Sequence, residues 1–71
     1  MNLHLELLRE YKSHYEFEKE RILRIQALQD EVQAKATQII LDWIEFEIKE
    51  AHKEIETYLW NTQAYSHPHS H

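Results

Sequence analysis

The residues with the clearest capacity for metal chemistry stand at the C-terminus, where three histidines occupy alternate positions. They are His67, His69 and His71. Alternate side chains of an extended chain point to the same side, and imidazoles grouped in this way are ligands for Ni²⁺, Cu²⁺ or Zn²⁺. A chain end must first lose conformational freedom to form such a site. A polar terminus without a ligand is therefore the favoured interpretation, and metal binding there is the last of three hypotheses.

Two other groups place histidine and carboxylate side chains on one face of a predicted helix. Glu10, His14 and Glu18 recur every four residues, and His52 and Glu56 have the same spacing. Residues four apart in a helix are neighbours, so either group could contact a divalent metal. The glutamate–histidine pairs of di-iron bundles, three residues apart, are absent from the sequence. We interpret both groups as solvated surface residues, and the sequence predicts no cofactor.

No arrangement of catalytic residues emerges from the sequence. There is no cysteine to act as a nucleophile and no glycine to build a phosphate-binding loop. Serine occurs only at positions 13, 66 and 70, which does not suit a preorganised serine–histidine–acid site. We therefore predict that the protein is not an enzyme.

The absence of glycine also bears on the fold class. Tight hairpins between strands need residues that tolerate positive φ, and glycine usually supplies them. Helix interiors need no such residue and are destabilised by it. The chain has no glycine, and its one proline, Pro68, lies near the end. The sequence therefore predicts an all-α protein.

Capping signals predict where the helices begin and break. Asn2 is placed to cap a first helix, and Asp30, three residues before Gln33, has the spacing of a second N-terminal cap. A serine with a glutamate three residues later gives a further signal inside the first helix. A turn near 28–31 would form a helical hairpin. Near 12–14 the signal fits a break and a surface serine inside a continuing helix equally well.

Size and composition limit the organisation of the chain. Its 71 residues suffice for one small domain, and a core of that size often needs a metal, a disulfide or a partner. We expect a helical domain over residues 1–60 and a polar, histidine-containing tail over 61–71.

No apolar run approaches the roughly 20 residues that span a bilayer, and the N-terminus lacks a signal peptide's basic start. We therefore expect a cytoplasmic protein, and this expectation includes a viral product that acts inside a host cell.

Apolar residues after the predicted turn fall on two stripes. At 100° per residue, the first stripe holds Ile25, Leu28, Val32, Ala36, Ile39, Trp43 and Phe46. The second holds Ile40, Leu41, Ile44, Ile48, Ala51, Ile55, Tyr58 and Leu59. The stripes are about 130° apart on the helical wheel, so one neighbouring helix cannot cover both.

A second copy of the chain is the expected source of the other neighbour. We predict a homo-oligomer, with an antiparallel dimer favoured, packed as a four-helix bundle or a coiled-coil-like dimer. The residues predicted to form the interface are Ile25, Leu28, Val32, Ile39, Ile40, Trp43, Ile44, Phe46, Ile48, Ile55 and Leu59.

The charge of the chain is uneven and suggests the kind of partner. The net charge is −5, and the sequence from residue 38 onward has six acidic residues against Lys49 and Lys53. Such a surface repels nucleic acid and anionic lipid, so we expect neither as a partner. The leading hypothesis is a small non-enzymatic interaction protein, a regulator or inhibitor that engages a basic protein surface through an acidic helical face. The alternative is a structural or assembly module that acts by self-association.

Overall fold

Two long helices account for nearly all of the chain that the structure describes. The computed structural model describes residues 2–66, and the side chains of residues 2–62. Helix α1 (Leu3–Gln26) and helix α2 (Glu31–Ser66) pack against each other as a hairpin, and no strand is present in residues 2–66. The predicted all-α class and helical hairpin are confirmed. At 1.5 Å per residue, α1 is about 36 Å long and α2 about 54 Å.

The helices begin at the predicted capping residues. The Asn2 side chain accepts a hydrogen bond from the Leu5 N–H at 3.1 Å, and Asp30 Oδ1 accepts one from the Gln33 N–H at 2.8 Å. Each bond satisfies an amide that the first turn of a helix leaves without a backbone partner. Helix α1 runs without interruption through Ser13, so the chain does not break at 12–14.

The turn covers residues 27–30 and is built without glycine. Ala27 follows α1 in the right-handed helical region, and no residue in the described part of the chain has a positive φ. The Leu28 N–H donates to the Ile25 carbonyl at 3.0 Å, and the next amide donates to the Gln26 carbonyl at 3.1 Å. Tight i to i+3 bonds of this kind satisfy helix-end carbonyls without a left-handed residue.

Polar side chains tie the two helices together beside the turn. Gln26 Nε2 donates to the Ala34 carbonyl and to Gln38 Oε1, both at 3.0 Å. The Thr37 hydroxyl donates to Gln29 Oε1 at 2.6 Å. Thr37 is buried, and its hydroxyl is accommodated there because it is hydrogen-bonded. These bonds fix the register of α1 against α2 at the turn.

The core is one row of side chains on the side of α2 that faces α1. Leu41, Ile44, Ala51 and Ile55 are buried, and Ile44 keeps only 3% of its exposure. All four belong to the second predicted stripe, which we call the inner stripe. Since burial of a large aliphatic side chain contributes about 1.5–3 kcal/mol, this row is the main apolar contribution to the stability of the hairpin.

Helix α2 extends further than the sequence predicts. It continues through residues 61–66, inside the predicted polar tail, and Pro68 lies beyond its end. The Thr62 hydroxyl donates to the Tyr58 carbonyl at 2.8 Å, a bond that threonine commonly makes within a helix. A polar composition without glycine or proline did not end the helix, since neither solvated side chains nor this bond interrupts the backbone ladder.

Candidate protein-interaction surface

Along α2, helix α1 leaves the residues of the first predicted stripe largely exposed to solvent. The relative solvent exposure is 79% for Val32, 72% for Ile39, 52% for Trp43 and 56% for Phe46. Ala36, between them on the same face, is also exposed. We call these five residues the outer stripe. A contiguous exposed apolar patch on a soluble protein usually marks an interaction site.

The outer stripe has a definite extent along the helix. It begins with Val32, next to the turn, and its last apolar member is Phe46, about 21 Å away. The following positions on the same helical face are Glu50, Glu54 and Thr57. We call the part of the hairpin nearest the turn the turn half and the remainder the open half. The apolar patch therefore lies in the turn half, and the open half of the same face is polar.

The outer stripe adjoins an aromatic edge between the two helices. The ring of Tyr15 packs edge-on against Trp43, with centroids 5.5 Å apart, and against Tyr11 at 4.9 Å. The Tyr11 hydroxyl donates to Glu47 Oε1 at 2.6 Å. This bond is the main reason that the pKa of Tyr11 is raised above its ordinary value, with a further contribution from Tyr15. Trp43 thus joins the outer stripe to the aromatic edge in one surface.

The other edge of the hairpin is charged. On the helical wheel, Glu45 lies on the opposite side of the inner stripe from Trp43. Lys19 Nζ is 2.7 Å from Glu45 Oε1, and Lys12 Nζ is 3.0 Å from Glu16 Oε2. Hydrogen bonding between Lys19 and Glu45 raises the pKa of the lysine and lowers the pKa of the glutamate. A hydrated charged edge is a poor apolar contact, so the aromatic side offers the better one.

The open half contains a groove of about 410 Å³ between α1 and α2. Its lining, mostly apolar or aromatic on α1 and acidic on α2, consists of His4, Leu7, Leu8, Tyr11, Glu47, Glu50, Ala51 and Glu54. Lysine and arginine side chains combine an aliphatic stem with a cationic end. The groove has apolar surface on one side and carboxylates on the other, of which Glu50 pairs with Lys53 at 3.1 Å.

The structure divides the predicted interface residues into two sets. Ile44 and Ile55 are buried between the helices of one chain, and Ile48 and Leu59 are partly buried. These residues already have a neighbour in α1. The exposed set is Ile25, Leu28, Val32, Ile39, Ile40, Trp43 and Phe46. Only the exposed set has substantial apolar surface left for a second molecule.

Two members of the predicted row Glu10, His14 and Glu18 on α1 make side-chain contacts with other residues. Glu18 Oε1 is 2.6 Å from Arg21 Nη2, and this hydrogen bond lowers the pKa of Glu18. His14 packs edge-on against the ring of Tyr15, with centroids 5.6 Å apart. The row therefore has the contacts of a surface face, as interpreted from the sequence.

The remaining histidine candidates are placed as follows. His52 Nε2 lies 3.2 Å from Glu56 Oε2 on the surface of α2, so these two side chains form the predicted surface pair. In the described residues, no three histidine or carboxylate side chains are arranged to hold a metal ion. His67, His69 and His71 lie outside the described residues.

Two contacts across the hairpin were not predicted from the sequence. They join Tyr11 to Glu47 and Lys19 to Glu45. Both depend on how α1 is placed against α2, which no spacing within one helix reveals. Tyr11 and Glu47 lie at similar distances from the turn, but Glu45 lies about twice as far from it as Lys19. Distance from the turn therefore signals the first pair and not the second, and it requires the turn to be known.

Compared with protein-family models, curated proteins and solved structures, the chain matches none of them. Within the described part of the chain, neither helix is both long enough and apolar enough to cross a membrane.

Proposed function

We propose that this protein is a non-enzymatic interaction module that self-associates through the outer stripe and the adjoining aromatic edge. The observation that carries the proposal is the exposure of Ile39, Trp43 and their neighbours on a helix whose other apolar stripe is already covered. Leaving such side chains in water forgoes about 1.5–3 kcal/mol each. A protein surface that covers them recovers part of that free energy.

The size of the patch suits a protein partner. A fully buried aromatic side chain covers about 150–250 Å², so Trp43 and Phe46, each about half exposed, present roughly 100 Å² apiece. The exposed aliphatic residues of the stripe and the turn bring the total to several hundred Å². This approaches the roughly 800 Å² that each partner contributes to a standard interface.

A second copy of the chain is the partner that the proposal names. Two-fold association brings the same patch of both molecules together, so a single apolar stripe serves as both surfaces. Two hairpins joined through α2 then contain four helices, the number in a four-helix bundle. Each α2 gains a second neighbour on the outer stripe, while α1 continues to cover the inner one.

The open half is the proposed site for a basic protein partner. Its groove combines the apolar surface of Leu7 and Leu8 with the carboxylates of Glu50 and Glu54. Binding of a basic segment there would make the protein a regulator or inhibitor of that partner. The outer stripe lies outside the groove, whereas the aromatic edge shares Tyr11 and Glu47 with it, so a basic segment in the groove would contact the border of the self-association surface.

The size of the particle in solution tests self-association. We expect a dimer by light scattering after size exclusion, and a monomer for Ile39→Glu, which places a charge in the middle of the outer stripe. Phe17→Glu is the matched control, because Phe17 is similarly exposed but lies on α1, outside the stripe. It should remain a dimer. A wild-type chain that stays monomeric at every accessible concentration would contradict the proposal.

Titration with a lysine-rich helical peptide tests the acidic groove. We expect binding that weakens with added salt, because screening reduces attraction between exposed charges. Glu50→Gln with Glu54→Gln should weaken it, whereas Glu31→Gln in the turn half should not. Equal loss in both variants would show attraction to the overall charge rather than to the groove.

A further inference from the structure

The order of side chains along the outer stripe selects one orientation for two copies. We propose that two α2 helices pack antiparallel, with the two-fold axis beside Ile39, so that the acidic open halves lie at opposite ends of the dimer. This inference rests on the self-association proposed above and adds its geometry.

The sizes of the side chains favour the antiparallel orientation. Parallel packing in register sets Trp43 against its own copy and Ala36 against its own copy. The first contact is crowded and the second leaves a gap, and close-packed interfaces lose free energy from both. Antiparallel packing brings the smaller end of one stripe, Val32 and Ala36, beside the larger end of the other, Trp43 and Phe46. The volumes are then balanced along the contact.

The boundaries of the stripe favour the same orientation and place the axis. The apolar part runs from Val32 to Phe46, and its midpoint is Ile39. An antiparallel overlap centred there covers both stripes fully, because the turn bounds each stripe at one end and Glu50 at the other. Sliding the axis along the helix would uncover apolar residues in both copies.

Repulsion between like charges also favours the antiparallel orientation over the parallel one. In a parallel dimer, Glu50 and Glu54 of each copy would lie beside the same residues of the other copy, where like charges repel. Glu50 contributes less to this repulsion than Glu54, because Lys53 pairs with it at 3.1 Å. In the antiparallel dimer the two copies of Glu50 are about 33 Å apart along the helix axis. That distance exceeds the screening length of about 8 Å at physiological salt, so the repulsion is removed.

The antiparallel dimer has a consequence for binding. The groove of the open half lies outside the overlapped stripe and meets the aromatic edge only at Tyr11 and Glu47, so both copies keep most of it accessible at the two ends of the particle. One dimer therefore offers two equivalent acidic sites and can hold two basic segments at once. A parallel dimer would crowd both sites at one end.

Distances between spin labels on single-cysteine variants test the orientation, since the chain has no cysteine of its own. Thr57→Cys lies on the outer face in the open half, and Lys35→Cys lies near the turn; both positions are exposed. For the antiparallel dimer we expect about 50 Å between labels at position 57 and less than about 25 Å at position 35. A parallel dimer would give short distances at both positions.

Light scattering on the same labelled samples separates the two proposals. A dimer with short distances at both positions would overturn the antiparallel orientation and leave self-association standing. A dimer with long distances at both positions would show that another surface joins the copies, which overturns the inference and the role of the outer stripe. A monomer would overturn self-association and the inference with it.

Discussion

The inner and outer stripes of α2 are similar in chemistry but differ in what covers them. Ile44 of the inner stripe is buried against α1, whereas Ile39 of the outer stripe, only five residues away, is largely exposed. Both are isoleucines in the same helix, so hydrophobicity does not explain the difference. The comparison shows that the apolar character of a helix face does not by itself determine whether a neighbouring helix covers it.

The lengths of the two stripes give a physical reason why α1 packs on the inner stripe and not on the outer one. The inner stripe extends from Ile40 to Leu59, about 29 Å, whereas the apolar part of the outer stripe covers about 21 Å. Helix α1 is about 36 Å long and extends along the whole of the longer stripe, although Ile40 at the end of that stripe stays about half exposed. Packing on the outer stripe would place its far end against Glu50 and Glu54. The pairing of α1 with the inner stripe therefore buries more apolar surface.

The largest effect that would test this comparison comes from shortening one isoleucine in each stripe. Ile44→Ala leaves a cavity under α1, so we expect the hairpin to lose about 2–5 kcal/mol in its free energy of unfolding. Ile39→Ala, at concentrations too low for association, should change it by less than about 0.5 kcal/mol. Urea unfolding followed by far-ultraviolet circular dichroism measures both.

Protein concentration sharpens the same test. An oligomer is stabilised by mass action, so the Ile39→Ala variant should fall below the wild-type chain in stability as concentration rises. The Ile44→Ala deficit should be present at every concentration. Equal losses for the two variants in dilute solution would mean that something within the chain covers the outer stripe.

A smaller effect concerns the ion pair that flanks the inner stripe. Lys19 holds the pKa of Glu45 below its usual value of 4.5. The charged carboxylate therefore stabilises the folded chain above about pH 4.5, and that stabilisation is lost as the pH falls through the lowered pKa. We expect Glu45→Gln to reduce the difference in urea midpoint between neutral pH and about pH 3. The pair is partly exposed, so this effect should be the smallest.

The matched control for that measurement is Glu10→Gln, at an exposed glutamate of α1. It should keep the pH dependence of the wild-type chain. If both variants flatten the profile equally, the dependence reflects the overall negative charge and not the contact between α1 and α2.

Local signals predicted the fold well but placed its boundaries unevenly. Asn2 and Asp30 cap the helices because a cap needs only its own turn, which the sequence contains. Ser13 has the same kind of signal but lies inside a continuous helix. The sequence does not distinguish the two cases, because a serine on a helix surface can have the same neighbours in sequence as a serine at a cap. The helical residues 61–66 show the converse, since a polar segment can remain helical when no proline or glycine interrupts it.

The candidate surface was predicted in part. The sequence identified every residue of the outer stripe, and a second neighbour for α2 stays a prediction. It did not identify the aromatic edge through Tyr11 and Tyr15 or the groove beside Leu7 and Leu8. Those features combine residues of both helices, and their pairing follows from the turn and from the register that Gln26 and Thr37 help to fix.

The sequence by itself determined the all-α class, the caps and the angular positions of both stripes, because each depends on residue type and on the fixed geometry of a helix. Only the tertiary structure decided that α1 covers Ile44, leaves Ile39 largely exposed and contacts Trp43 through Tyr15 alone among the ring contacts described. Which stripe α1 covers depends on both helices together: on the apolar area buried between them, on the residue pairs at their two edges and on the geometry of the turn. No periodicity within a single helix contains that information.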